Sequence, residues 1–139
     1  MKGFGAHMII DLSGGNGYQK KTDEQNLVSF IEELCERIDM ERHGPLIRDW
    51  FGNNNVEGWS LVQLITTSSI KGHFCGEYEE FPDTSNTAYL DIFSCKSFNE
   101  DDVISVVKKY FNQDIIDYKI VIRARPDKNR SQIIQNVFI

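Results

Sequence analysis

The chain has 139 residues and a formal net charge of −6, the size of one ordinary domain with an acidic balance. That charge, with no basic stripe to neutralise phosphates, argues against nucleic acid. There is no apolar run long enough for a membrane span, and Met1 to Gly5 lack the features of a signal peptide.

Residues 6–12 (Ala-His-Met-Ile-Ile-Asp-Leu) read as a strand closed by the turn cluster Ser13 to Gly17. A helix follows. Leu27, Phe30, Ile31, Leu34, Cys35 and Ile38 form one apolar stripe, and Thr22 with Gln25 has capping-box spacing at its start. Residues 43–58 read as irregular. Residues 59–66 and 87–94 carry strand signals. A second helix is expected over 100–111, with Asn99 as N-cap and Val103, Val106, Val107, Tyr110 and Phe111 as its stripe. A last strand falls near 117–124, where Tyr118, Ile120 and Ile122 alternate with Lys119, Val121 and Arg123. The tail ends apolar (Ile133, Ile134, Val137, Phe138, Ile139), which predicts an edge strand or packing on a second subunit.

The predicted order is β-α-β-β-α-β in one domain over 1–139. The expected fold class is α+β, a two-layer sandwich with two helices on one face of a mostly antiparallel, four-stranded sheet. Cys35, Cys75 and Cys95 are odd in number and widely spaced, which fits reduced thiols in a cytoplasmic protein. No CxxC or HxxxH pair points to a metal site.

Four blocks carry a sharper signal. Gly5-Ala6-His7-Met8-Ile9-Ile10-Asp11-Leu12-Ser13-Gly14 resembles the N-terminal GxHxxxDLxG signature of bacterial S-adenosylmethionine decarboxylases. Gly58-Trp59-Ser60-Leu61 resembles their GVSG-type strand entry, and Ser68-Ser69-Ile70-Lys71-Gly72-His73 their Ser-His-Ile-x-x-His segment. Leu90-Asp91-Ile92-Phe93-Ser94-Cys95 is similar to their VDIFTC strand. The blocks stand in the family's order and cover roughly residues 5–126.

The resemblance implies a self-processing, pyruvoyl-dependent decarboxylase of polyamine biosynthesis. Ser68 would be the precursor of the pyruvoyl group, with cleavage between Thr67 and Ser68. Ser60 stands at the position that stabilises the ester intermediate. It lies eight residues before Ser68, so one regular strand would point both side chains to one face. His73 holds the place of the base that takes the Cα proton. Cys95 stands where the family's cysteine returns a proton to the substrate, and Glu77 where a glutamate holds the ribose. The resemblance further implies a homodimer.

Taken without the family, these residues have plainer readings. Ser68 would be a loop serine, His73 a loop histidine, and Cys95 a small buried hydrophobe. Cys35 belongs to a core stripe. His7 reads as structural, and Asp91 as outward-facing or hydrogen-bonded in place.

The sequence departs from the family at the site. Glu-Ser-His at the cleavage point is Thr67-Ser68-Ser69, and His-Thr-Trp-Pro-Glu is His73-Phe74-Cys75-Gly76-Glu77. The missing Trp removes an adenine-stacking group, for which Phe74 or Phe51 is the available substitute. These changes keep two alternatives open: the same chemistry on another amino acid such as arginine or ornithine, and a non-processing relative that binds a nucleoside or a partner protein.

Overall fold

A computed structural model describes residues 5–14, 23–53, 56–76, 86–111, 115–123 and 132–138. Their elements are β1 (Gly5–Ser13), α1 (Glu24–Arg37), β2 (Ile47–Asn53), β3 (Val56–Ile65), β4 (Ser68–Cys75), β5 (Ala88–Ser94), α2 (Glu100–Tyr110), β6 (Ile115–Arg123) and β7 (Gln132–Phe138). The strands form one sheet in the order β2-β3-β4-β5-β1-β6-β7, with every neighbouring pair antiparallel.

Alternation sorts the sheet into two faces. Ala6, Met8, Ile10 and Leu12 on β1, Ile70 and Phe74 on β4, and Leu90 and Ile92 on β5 are buried in one core cluster with the helix stripes. Phe30 of α1 and Phe111 after α2 meet edge to face at 4.7 Å, and Phe111 lies over Phe74 at 5.2 Å. These rings join both helices to the sheet centre, so both helices cover one face. The opposite face carries His7, Asp11, Ser60, Lys71, His73, Tyr89, Asp91 and Lys119, all half-buried or exposed.

The α+β sandwich is as expected, but among the described residues the sheet has seven strands, not four. Two of the added strands lie where the sequence reads as irregular or loop. In β2, Trp50 packs on the core while Ile47 and Phe51 point outward, 62% and 54% exposed, so its apolar residues do not mark a buried face. In β4, glycine holds the core position between Ile70 and Phe74, because a Cβ at Gly72 would lie 2.7 Å from the Phe74 ring and 2.9 Å from Leu90. That glycine interrupts the apolar alternation. The tail forms β7, an edge strand on β6, the first of the two outcomes expected for it.

The helix boundaries agree with their stripes. Asn99 caps α2 by accepting from the Asp101 N–H at 2.8 Å. The N-cap of α1 is Asp23, with no side-chain cap bond, and Thr22 lies outside the described residues. No described helix is long and apolar enough to cross a membrane.

Candidate active site

β3 and β4 form a hairpin in which Ile65 pairs with Ser68, leaving Thr66 and Thr67 as a two-residue loop. Neither threonine favours the turns that suit such loops. Tertiary hydrogen bonds hold the loop instead. The Thr66 N–H donates to the Glu41 carbonyl at 3.0 Å, and the Cys95 N–H donates to the Thr67 carbonyl at 3.1 Å. The Thr67 and Ser94 hydroxyls bond each other at 2.8 Å. Ser94 is fully buried and also accepts from the Lys96 N–H at 3.0 Å. Ser68 itself is extended, with φ 158°, and pairs with Ile65 and Ser94.

This arrangement fixes the peptide ahead of Ser68. A hydrogen bond from a main-chain N–H polarises the Thr67 carbonyl and would stabilise negative charge developing on its oxygen. A cleft of about 340 Å³ opens beside the loop, lined in part by Asp39, Met40, Thr67 and Lys96.

A second polar group lies on the open face of the sheet. Ser60 of β3 and His73 of β4 are register partners, and Ser60 Oγ stands 2.7 Å from His73 Nδ1. The Cys75 thiol, two residues on and on the same face, also hydrogen-bonds His73. That bond raises the imidazole pKa above the ordinary histidine value, and burial acts in the opposite direction. Gly58 is the register partner of Cys75, and a Cβ there would lie 2.4 Å from the Phe74 carbonyl oxygen. Glycine is therefore required for β3 to approach β4 beside His73.

The predicted site residues thus fall into two groups. Ser68 lies at the hairpin tip, where the Cys95 main chain bonds the preceding Thr67, while Ser60 and His73 meet further along the hairpin. His73 is five residues from Ser68 on β4, roughly 17 Å at strand spacing. The expectation that Ser60 and Ser68 share one face of one strand is corrected: a turn separates them, and they occupy two antiparallel strands. Glu77 lies outside the described residues.

Other expectations resolve residue by residue. Cys95 is exposed, not a buried hydrophobe, because it follows the end of β5, whereas Cys35 is buried in the core. Phe74 is fully buried against Phe111 and offers no stacking surface, which removes it as a substitute for the missing Trp. Phe51 is exposed on edge strand β2. His7 Nε2 and Asp91 Oδ1 pair at 3.2 Å across β1 and β5, so Asp91 is both outward-facing and bonded. Sequence reasoning missed Ser94 and Cys75. Ser94 carried a signal, a hydroxyl at an inward position of an apolar strand.

The family described as S-adenosylmethionine decarboxylase matches residues 6–124, a span that runs from the second residue of β1 through β6 and contains both polar groups. The chain belongs to the S-adenosylmethionine decarboxylase family. No curated protein and no solved structure matches it. The S-adenosylmethionine decarboxylases are enzymes of polyamine biosynthesis, and membership supports a decarboxylase-type function for this chain. The family is generally pyruvoyl-dependent, and the hairpin tip fits formation of that group. The tip presents a serine, a half-buried loop peptide and an N–H on the carbonyl that the serine would attack.

Proposed function

We propose that the chain is the proenzyme of a pyruvoyl-dependent S-adenosylmethionine decarboxylase that cleaves itself between Thr67 and Ser68. The observation that carries this reading is the hydrogen bond from the Cys95 N–H to the Thr67 carbonyl, inside a chain of this family.

Ser68 Oγ attacks the Thr67 carbonyl carbon, and the Cys95 N–H stabilises the oxyanion. The C–N bond breaks, the hydroxyl proton ends on the Ser68 nitrogen, and an ester results. A base then takes the Ser68 Cα proton, the Cβ–Oγ bond breaks, and residues 1–67 leave with a free carboxylate. Water replaces the nitrogen of the resulting dehydroalanine, ammonia leaves, and residue 68 keeps a pyruvoyl group. When formed, that group supplies an electron sink for loss of carbon dioxide. The Cys95 side chain is exposed beside the tip, as a proton donor to the substrate carbon must be.

His73 suits the base, and Ser60 orients its ring. One chain holds that pair roughly 17 Å from its own Ser68. A homodimer that pairs the open sheet faces would bring the Ser60–His73 pair of one copy to the hairpin tip of the other. Two observations support it: the separation of the two groups, and a face that the helices leave uncovered.

Coexpression tests both parts of the reading. Ser68→Ala and His73→Ala chains each stay whole alone. Together, the His73→Ala chain, which retains Ser68, is cleaved by its partner's imidazole. Cleavage of wild type without rescue in the mixture would place the base elsewhere, and no cleavage of wild type would refute self-processing.

A second reading keeps the chemistry but changes the substrate to another amino acid such as arginine or ornithine. It is favoured by Cys75 and Phe74, which stand at and beside the position of the family's Trp and are both buried. Release of carbon dioxide from a panel of carboxyl-labelled substrates separates the two.

A further inference from the structure

Cys75 is a buried thiol that lies outside the apolar core cluster. It is 2% exposed, and Phe74 and Ala88 beside it belong to that cluster while Cys75 does not. Alternation puts it on the open face with His73. Two neighbours hold it in place: the Cys75 N–H donates to the Thr87 carbonyl at 2.9 Å, and Gly58 across the hairpin lacks the Cβ that would push β3 from β4. The thiol hydrogen-bonds the imidazole whose Nδ1 already meets Ser60 Oγ.

An imidazole with one partner can still swing about its Cα–Cβ bond. With Ser60 on the neighbouring strand and a thiol on its own strand, the ring has two partners rather than one. We propose that Cys75 is a positioning residue for His73, fixing the imidazole jointly with Ser60 in the geometry that proton abstraction requires. The proposal rests on the decarboxylase reading for its catalytic consequence, but the thiol–imidazole coupling itself does not.

The charged and titratable groups around His73 bound the test. Across the sheet its register partners are Ser60 on β3 and Tyr89 on β5, with Asp49 beyond Ser60 on β2 and Asp11 beyond Tyr89 on β1. Along β4 its same-face neighbours are Lys71 and Cys75. A substitution at Cys75 leaves all the others in place.

The experiment is a titration of the His73 ring by NMR in wild type, Cys75→Ser and Cys75→Val. It is read beside the pH profile of self-cleavage by intact mass. Valine fills the site without a polar atom, so a dispersed spectrum establishes that the fold survives. The expected result is a His73 pKa that falls toward the ordinary histidine value in Cys75→Val and is partly restored in Cys75→Ser. Cleavage is expected to slow roughly ten- to hundredfold in the valine variant, with partial rescue by serine. An unchanged His73 titration in folded Cys75→Val overturns the proposal. So does a shifted titration with an unchanged cleavage rate and profile. If wild type never cleaves, the decarboxylase reading fails separately, and the titration alone decides the coupling.

Discussion

The main-chain N–H of Cys95 donates to the Thr67 carbonyl at 3.1 Å, tying the peptide ahead of Ser68 to the residue after β5. The bond couples two sequence blocks that are far apart in the chain. It makes the loop between β3 and β4 a fixed feature of the sheet rather than a free turn. Ser94, buried beneath, completes the anchoring through Thr67 and Lys96.

Ser94→Ala removes both of these side-chain bonds from a fully buried position. It is expected to lower stability by about 1–2 kcal/mol in urea unfolding, the scale for lost buried hydrogen bonds. Self-cleavage should slow as well, because the Thr67 carbonyl is held less firmly. Wild-type stability and cleavage together would show that the anchoring has no effect.

The pH dependence follows from His73. Its pKa stands above the ordinary histidine value because the Cys75 thiol bonds the ring, against the opposing effect of burial. A base must be neutral, so cleavage is expected to accelerate as pH rises, with a midpoint above the ordinary histidine value. The stability effect has the opposite sign. A raised native pKa means the folded chain holds the proton more tightly than the unfolded chain. Its contribution is complete below the unfolded histidine value and is lost as pH rises through the native one. Cleavage rates from about pH 5 to pH 9 check the first statement. A flat or falling profile would contradict it.

Gly58→Ala places a Cβ 2.4 Å from the Phe74 carbonyl oxygen and 3.2 Å from the Cys75 Cα, both backbone atoms. The strands must separate to admit it. A loss of about 1–3 kcal/mol is expected on thermal or urea unfolding, the range for overpacking. The Ser60–His73 distance should grow as well, which a shift of the His73 ring resonances would report.

Phe30 is fully buried and touches both Tyr110 and Phe111. Phe30→Ala is expected to cost about 3–5 kcal/mol, since it empties the joint between the two helices. A cost near that of a surface substitution would mean that the helix pair is not packed as described.

The helices and strands β1, β3, β5 and β6 were legible because their apolar residues recur at helical or alternating spacing. Strands β2 and β4 were not, for two different reasons. In β2 the edge position leaves Ile47 and Phe51 in solvent, so hydrophobicity does not mark the inner face. In β4 a glycine takes a core position because Phe74 and Leu90 already fill the space.

The candidate site residues were named from their motifs, but their geometry was not legible in the sequence. Of Ser60, Ser68, His73 and Cys95, Ser60 and His73 meet directly, while the Cys95 main chain bonds Thr67, the residue before Ser68. Their separation depends on the register of the hairpin, which sequence spacing does not reveal when the turn between the strands goes unrecognised. Cys75 was invisible as a partner of His73 because a buried cysteine reads as a small apolar residue.

Self-processing at residue 68 is the central claim, and the intact mass of the purified chain tests it most directly. The 16.0 kDa chain is expected to give two fragments on incubation, divided between Thr67 and Ser68, with a pyruvoyl group at the start of the second. A chain that remains whole through prolonged incubation would rule out self-processing and leave a family member that binds without processing.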